Sequence, residues 1–340
     1  MSDEDGEEAE FFTIPKKPQW TQSMAPEEYR QLETDTFLKW KRQLNKMQNK
    51  HPNLPPFEKN LEFWRQLWKI VEISDIVVQV VDARDPMFYA SHDLATYVSE
   101  VAGGKTSVFL LNKADYLTAE QRQIWAEFFK RSDMKTLFFS ATDINDRLAV
   151  GHSKIVTGSH QQEDMIEFNT SAIMEPPAVL AALKSLSPTP DSGVTVGFVG
   201  YPNVGKSSTI NRFLENRRLQ VSATPGKTKH YQTHVLSGGR VTLVDGPGLV
   251  IPSLHMTKAE MVLSGILPID NLTDPMPCIN QLLSTRTPFA QVVSHYGIMQ
   301  SCLSQVCSVF QLFPLVISNR RTRSLSFGVY SFMASLTNEI

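Results

Sequence analysis

Two short runs of residues could do chemistry together. In Gly200-x-x-x-x-Gly205-Lys206-Ser207, glycines, a lysine and a hydroxyl stand at the spacing of a phosphate-binding loop. Its backbone N–H groups, Asn203 to Ser208 through Val204, would wrap phosphates, while the following helix adds the positive end of its dipole. Lys206 would reach the β- and γ-phosphates, and the hydroxyl of Ser207 would ligate Mg²⁺. The second run, Asn112-Lys113-x-Asp115, could read a purine. A carboxylate at Asp115 accepts from both N1–H and the 2-amino group of guanine, and adenine offers neither donor there. Asn112 would tie this loop to the phosphate loop, and the stem of Lys113 would cover the base.

Three further segments complete the set. Asp245-Gly-Pro-Gly248 follows the run "VTLV"; Asp245 would hold Mg²⁺, through water, and the Gly248 N–H would sense the γ-phosphate. "ATPGKTK" (Ala223 to Lys229) lies where a first switch belongs, with Thr228 as the second Mg²⁺ hydroxyl and Thr224 as the alternative. "SAT" (Ser140 to Thr142) suits an element whose backbone N–H meets guanine O6, so Ser140 and Ala141 join the candidates. Each motif alone has a bland reading as a turn or a cap. Each half-site lacks what the other supplies, which argues for one joint site.

Positioning these loops takes an α/β framework. "DIVVQVVDA" (Asp75 to Ala83), "SVFLLNK" (Ser107 to Lys113), "TLFFSAT" (Thr136 to Thr142) and "VTVGFVG" (Val194 to Gly200) read as strands buried on both faces of a parallel sheet. Helices are expected over 27–50, 57–72, from the Thr118/Gln121 capping box to about Arg131, over Ala178 to Leu186, and after the phosphate loop to about Glu215. "HYQTHVL" and "RVTLVDG" around "SGG" predict a hairpin. In 57–72, the stripe Phe57, Leu61, Trp64, Trp68, Val71 is either an aromatic platform for RNA or a core face. Helices pack with this spacing, so the core reading is preferred. Trp40, among Lys39, Lys41 and Arg42, could face RNA or belong to a solvated face.

In most proteins that combine these motifs, the phosphate loop comes first. Here the order is guanine loop, Ser-Ala element, phosphate loop, first switch, Asp-x-x-Gly. Nucleotides bind at the carboxyl ends of strands, so the loops need only gather at one sheet edge, and circular permutation preserves that gathering. The expected organisation is an acidic disordered tail over 1–10, a helical segment over 11–72, and a circularly permuted P-loop GTPase domain of α/β class over 73–250, with a mobile insertion at 143–175. A C-terminal helical region over 251–298 and an atypical tail over 299–340 follow.

Composition sets the remaining bounds. Lys+Arg 33 against Asp+Glu 35 in 340 residues gives no global case for nucleic acid or membrane. Cys278, Cys302 and Cys307 have no metal-ligand spacing, which favours a reducing, cytoplasmic setting. Cys302 to Ile317 makes a poor membrane span, and no insertion is expected.

The chain also resembles the circularly permuted GTPases of ribosome assembly, and within them the cytoplasmic large-subunit GTPases. "FFTIPKKPQW", "FEKNLEFWRQLWKIVEISDIVVQVVDARDP", "LLNKADYLTAEQR", "VGYPNVGKSSTIN", "VSATPGKTKHYQT" and "HMTKAEMVLSGILPIDNL" carry the resemblance, over about 11–298. It implies GTP and GDP as ligands, and hydrolysis coupled to late cytoplasmic maturation of the large (60S) subunit. The implied partners are the pre-60S particle, its rRNA and proteins, and a nuclear-export adaptor that is released from it. A monomer is expected. Asn203 resembles the residue with which K⁺-stimulated GTPases bind a monovalent ion. The family's basic N-terminal extension is not seen, the 143–175 insertion is shorter and less acidic, and the resemblance stops after "VVSHYGI" (Val292 to Ile298). Leu249 stands where many GTPases place a water-orienting Gln, so slow turnover is expected, stimulated by the subunit. The alternatives are a GTP-gated adaptor with negligible hydrolysis, owing to Leu249 or the altered tail, and an ATP-dependent enzyme, which Asp115 disfavours.

Overall fold

Consecutive valine, isoleucine and leucine can all be buried only when a strand is covered on both faces, which favours parallel strands flanked by helices. The computed structural model has this architecture; it describes residues 13–50, 55–101, 105–142, 167–187, 193–214, 230–236, 240–253, 256–272 and 274–285. Strands β1 (Ile76–Asp82), β2 (Thr106–Asn112), β3 (Thr136–Phe139), β4 (Ile173–Met174), β5 (Val194–Val199), β6 (Gln232–Val235) and β7 (Val241–Asp245) form one sheet. The strand order is β4-β3-β2-β1-β5-β7-β6, parallel except for the β6–β7 hairpin. β1 is central and buried at every position. From β1 the chain builds outward through β2 to β4, then returns to the other side of β1 as β5. The β1/β5 junction is therefore the topological switch point, where a ligand crevice belongs.

The helices are α1 (Pro26–Lys50), α2 (Leu61–Ile73), α3 (Pro86–Tyr89), α4 (His92–Glu100), α5 (Ala119–Arg131), α6 (Pro176–Ser185), α7 (Lys206–Phe213), α8 (Lys258–Leu263) and α9 (Met276–Thr285). None among the described residues is long and apolar enough to cross a membrane. Both halves of the Thr118–Gln121 capping box form at the start of α5.

Trp40, Trp64 and Trp68 are structural. Trp64 and Trp68 are buried on α2, and the Trp40 ring lies 5.4 Å from those of Phe57 and Trp64. The indole N–H groups of Trp40 and Trp68 donate to Thr13 O and Pro15 O, both at 2.8 Å, and Tyr29 Oη donates to Pro18 O at 2.9 Å. These bonds staple an extended N-terminal segment over the helices, so Trp40 is a core residue that neither faces RNA nor lies on a solvated face, and α2 carries a core stripe instead of an aromatic platform.

Other expectations shift. The helix expected from Phe57 starts at Leu61, because Asn60 is its N-cap and accepts from Glu62 N at 3.0 Å. The 143–175 insertion is not all loop: Asn169 Oδ1 accepts from Thr136 N and Oγ1, and β4 then pairs with β3. Residues 143–166, the acidic tail and the 299–340 tail lie outside the described residues.

The chain divides into a unit ending at Met256 and another starting at Thr257, later than the expected boundary after 250. In the second unit a Thr257–Glu260 capping box starts α8, and Ala259, Val262 and Cys278 share a small core.

Candidate nucleotide-binding site

Parallel pairing brings the carboxyl ends of β1, β2, β3, β5 and β7 to one edge, and every described candidate residue sits there. The phosphate loop runs from β5 into α7. Asn203 has φ 62°, a left-handed conformation that Asn tolerates better than most residues. This gives Asn203 a backbone reason to be Asn. Gly205, at φ +96°, is the N-cap of α7 and brings no side-chain oxygen to the first-turn amides, which suits them to an anion.

Lys206 is buried, and its Nζ donates to Gly200 O at 3.0 Å and Tyr201 O at 2.6 Å. Burial brings its pKa down to about 8, opposed by the nearby Asp245 charge. Ser207 Oγ donates to Asp245 Oδ2 at 2.8 Å, so the two candidate Mg²⁺ ligands are in contact. Asp245 Oδ1 is buried without a hydrogen-bond partner among the described residues. Burial raises the Asp245 pKa, opposed by the Ser207 bond and by the charges of Lys206 and His234. An orphaned carboxylate oxygen beside a hydroxyl fits a hard divalent cation. No group of three His, Cys, Asp or Glu that could hold a metal occurs among the described residues, so such an ion would complete its shell with phosphate and water.

The Asp-x-x-Gly segment closes on the phosphate loop: a Cβ on Gly248 would lie 3.0 Å from Pro202 Cα. Leu249 is buried; its N–H donates to Gly200 O at 3.2 Å, and its side chain lines an apolar cleft with Phe63, Leu67, Ile70 and Ile251.

Asn112 joins the two halves of the chain. It is buried at the end of β2, where its Nδ2 donates to Val204 O at 2.8 Å and its Oδ1 accepts from Ala141 N at 3.1 Å. A Cβ on Gly205 would fall 2.3 Å from Asn112 Nδ2, so only glycine permits this contact. The Ala141 N–H, in the turn expected to face a base, is thus engaged by Asn112. Ser140 Oγ donates to Asp115 Oδ1 at 2.7 Å. A cavity of about 210 Å³ opens here, lined by Asn112, Lys113, Asp115 and Ala141 on one side of the chain order and by Gly205 and Ser208 on the other.

Arg84 and Tyr116 also line this cavity, and sequence reasoning missed them. The Arg84 guanidinium lies 5.3 Å from the Tyr116 ring centroid and is bound to the buried carboxylate of Asp82. The signal available was the "DARDP" run at a strand end. Thr228 and Thr224 lie outside the described residues.

A phosphate loop, an Asn-Lys-x-Asp loop and an Asp-x-x-Gly segment on one parallel-sheet edge, in rotated chain order, define a circularly permuted P-loop GTPase domain. The family described as "50S ribosome-binding GTPase" matches residues 195–275. Large subunit GTPase 1 homolog of Drosophila melanogaster is 39% identical over 343 residues, covering 88% of this chain and 56% of that protein. Large subunit GTPase 1 of Schizosaccharomyces pombe is 44% identical over 279 residues, covering 77% of this chain and 44% of that one. The chain thus spans roughly half the length of these relatives. Among solved structures, GDP-bound YlqF aligns at a TM-score of 0.45 and 20% identity, over 80% of this chain and 94% of that one. The chain belongs to the circularly permuted GTPases of the large subunit GTPase 1 family.

Proposed function

We propose that this chain binds GTP and GDP across the β1/β5 junction and is a ribosome-associated GTPase, acting in late cytoplasmic maturation of the large subunit and in release of a nuclear-export adaptor from the pre-60S particle. The observation that carries the nucleotide reading is Asn112, whose single side chain binds Val204 and Ala141 and so builds one pocket from two halves of the chain. The family assignment and the described likeness to a ribosome-binding GTPase support the ribosomal partner.

In this reading Asp115, held by Ser140, accepts from N1–H and the 2-amino group of guanine. Guanine O6 approaching Ala141 shares that N–H with Asn112 Oδ1. Lys206 exchanges its two carbonyl partners for phosphate oxygens, and the first-turn amides of α7 neutralise charge that spreads over the γ-phosphoryl oxygens. Ser207 and Asp245, with Thr228 from the first switch, would hold Mg²⁺, which would supply charge neutralisation to the phosphates. Gly248 senses the γ-phosphate, and Asn203 is the candidate K⁺ ligand.

Leu249 cannot orient water by hydrogen bonding, so intrinsic hydrolysis is slow and the ribosomal subunit supplies the activation. The burial of Leu249 also supports the second reading, a GTP-gated adaptor with negligible hydrolysis. Single-turnover GTP cleavage with and without purified pre-60S particles separates the two: stimulation by the particle supports the enzyme, and unchanged background cleavage supports the adaptor. Equal rates in Na⁺ and K⁺ would remove the cation role of Asn203.

A further inference from the structure

The Asp82 carboxylate has no role in the chemistry derived so far, yet it is one of the most engaged polar groups in the molecule. It ends the central strand, is buried, and is register-paired with Asn112 on β2. Its Oδ2 accepts from Lys113 Nζ at 2.8 Å and Arg84 Nη2 at 2.7 Å, and its Oδ1 from Arg84 Nε at 3.0 Å and Arg84 N at 3.1 Å. Burial pushes the carboxyl upward, but hydrogen bonds and charge from Arg84 and Lys113 outweigh it and hold Asp82 below its usual value.

A carboxylate that merely stitched β1 to β2 could bind any neighbouring donor. Both side-chain partners of Asp82 instead line the purine cavity. Lys113 moreover sits at φ 63°, a conformation unfavourable for a long L side chain, and something must hold it there. With its ammonium fixed on Asp82, the methylene stem is laid along the cavity wall. Arg84, fixed on the same carboxylate, is held against Tyr116. Without that anchor both cations gain by extending into water, where an ammonium is strongly hydrated.

We propose that Asp82 is a positioning residue of the nucleotide site: it acts through Lys113, holding the lysine stem as the cover of the purine ring. The inference rests on the guanine reading of this cavity. It makes the lysine a tethered plate, which explains a Lys–Asp contact at the mouth of a site for an anion.

The test is a double-mutant cycle on the full chain, with GDP affinity by titration and ADP as the base control. Asp82→Asn and Lys113→Met each remove the anchor, the second keeping the stem and leaving the buried Asp82 carboxylate its Arg84 partner. Each is expected to weaken GDP by about tenfold to a hundredfold, the worth of a charge-assisted hydrogen bond. The double variant should be no weaker than the worse single. Additive losses, or unchanged GDP affinity in Lys113→Met, would overturn the proposal while GDP preference over ADP persists. A wild-type chain that does not prefer GDP to ADP overturns the guanine reading itself. If Asp82→Asn fails to fold, Lys113→Met still decides the matter against wild type.

Discussion

Replacing Asp115 with Asn tests the purine reading at its selective atom. Ser140 Oγ donates to Asp115 Oδ1 at 2.7 Å. In Asp115→Asn the amide oxygen keeps the Ser140 bond when the NH₂ group turns toward the base, the orientation that a 2-oxo acceptor favours. Guanine then meets a donor with its own N1–H and 2-amino donors. Two charge-assisted bonds disappear, each worth about 1.5–3 kcal/mol. GDP affinity should therefore fall by about 10² to 10⁴-fold. Xanthine carries a 2-oxo group, an acceptor, and the same NH₂ can donate to it, so XDP should bind more tightly to the variant than GDP does. Equilibrium titration of GDP, XDP and ADP on wild type and variant reads all three affinities. Ser140→Ala is the companion: it removes the Ser140 bond and leaves the carboxylate in place, and should cost GDP at most about tenfold to a hundredfold, as for one charge-assisted hydrogen bond. If Asp115→Asn leaves the GDP/XDP ratio unchanged, the base does not meet Asp115, and the assignment of the Asn112–Asp115 loop is wrong.

Asn112→Ala strands Val204 O, which is buried and costs about 1–3 kcal/mol when unpartnered, and Ala141 N, which is half-buried and costs less. Urea denaturation should show a loss of several kcal/mol, and unchanged stability would mean that the two loops are held together by something else. Lys206 predicts a pH effect with a definite sign. Held at about 8 instead of 10.5, it costs the folded chain about 3 kcal/mol at neutral pH. Between about pH 8 and 10.5 the unfolded chain binds the extra proton, so stability should rise with pH across that window. Nucleotide affinity, which uses the ammonium, should fall across the same window. Denaturation and GDP titration at both ends, referenced to Lys206→Met, check both signs. Ser207→Ala removes a hydroxyl from the Ser207–Asp245 pair, and should abolish Mg²⁺ stimulation of nucleotide binding while leaving Mg²⁺-free binding within a few-fold of wild type.

The site was legible in the sequence where chemistry forces residue type onto backbone shape. Gly205 must be glycine because a Cβ would strike Asn112, and both residues belong to motifs read before any fold was known. The parallel sheet was legible because β1 is apolar but for Gln79 and Asp82, and β2 carries the apolar run Val108 to Leu111. What stayed hidden depended on partners distant in the chain or on direction. The basic neighbours of Trp40 say nothing about which way the indole points; its acceptor, Thr13 O, lies 27 residues away. Asp82 at a strand end looks like a local cap until Lys113 arrives from 31 residues on. β4 spans two residues, too few for any periodicity, and follows from Asn169 reaching Thr136. The start of α2 was readable in principle, since Asn60 is a good N-cap, but the apolar stripe beginning at Phe57 outweighed it.

Rotating the chain order also changes what the nucleotide site rests on. The helical segment precedes β1 directly, and α2 lies beneath the Asp-x-x-Gly segment, where Ile70 Cδ1 would be 2.9 Å from a Cβ on Gly246. Just beyond that segment, Val250 O accepts from Glu58 N at 2.9 Å and Ile251 O accepts from the phosphate-loop residue Tyr201 at 3.1 Å. On the other flank, Tyr231 N donates to Gln66 Oε1 at 2.8 Å, directly after the stretch assigned to the first switch. Val250, just beyond the Asp-x-x-Gly segment, and Tyr231 thus both hydrogen-bond to the stretch from Glu58 to Gln66. Individual backbone bonds of this kind contribute only about 1 kcal/mol each, so a phosphate-driven shift can exchange them. A movement that carries Val250 and Ile251 must either break the Glu58 and Tyr201 bonds or take their donors with it.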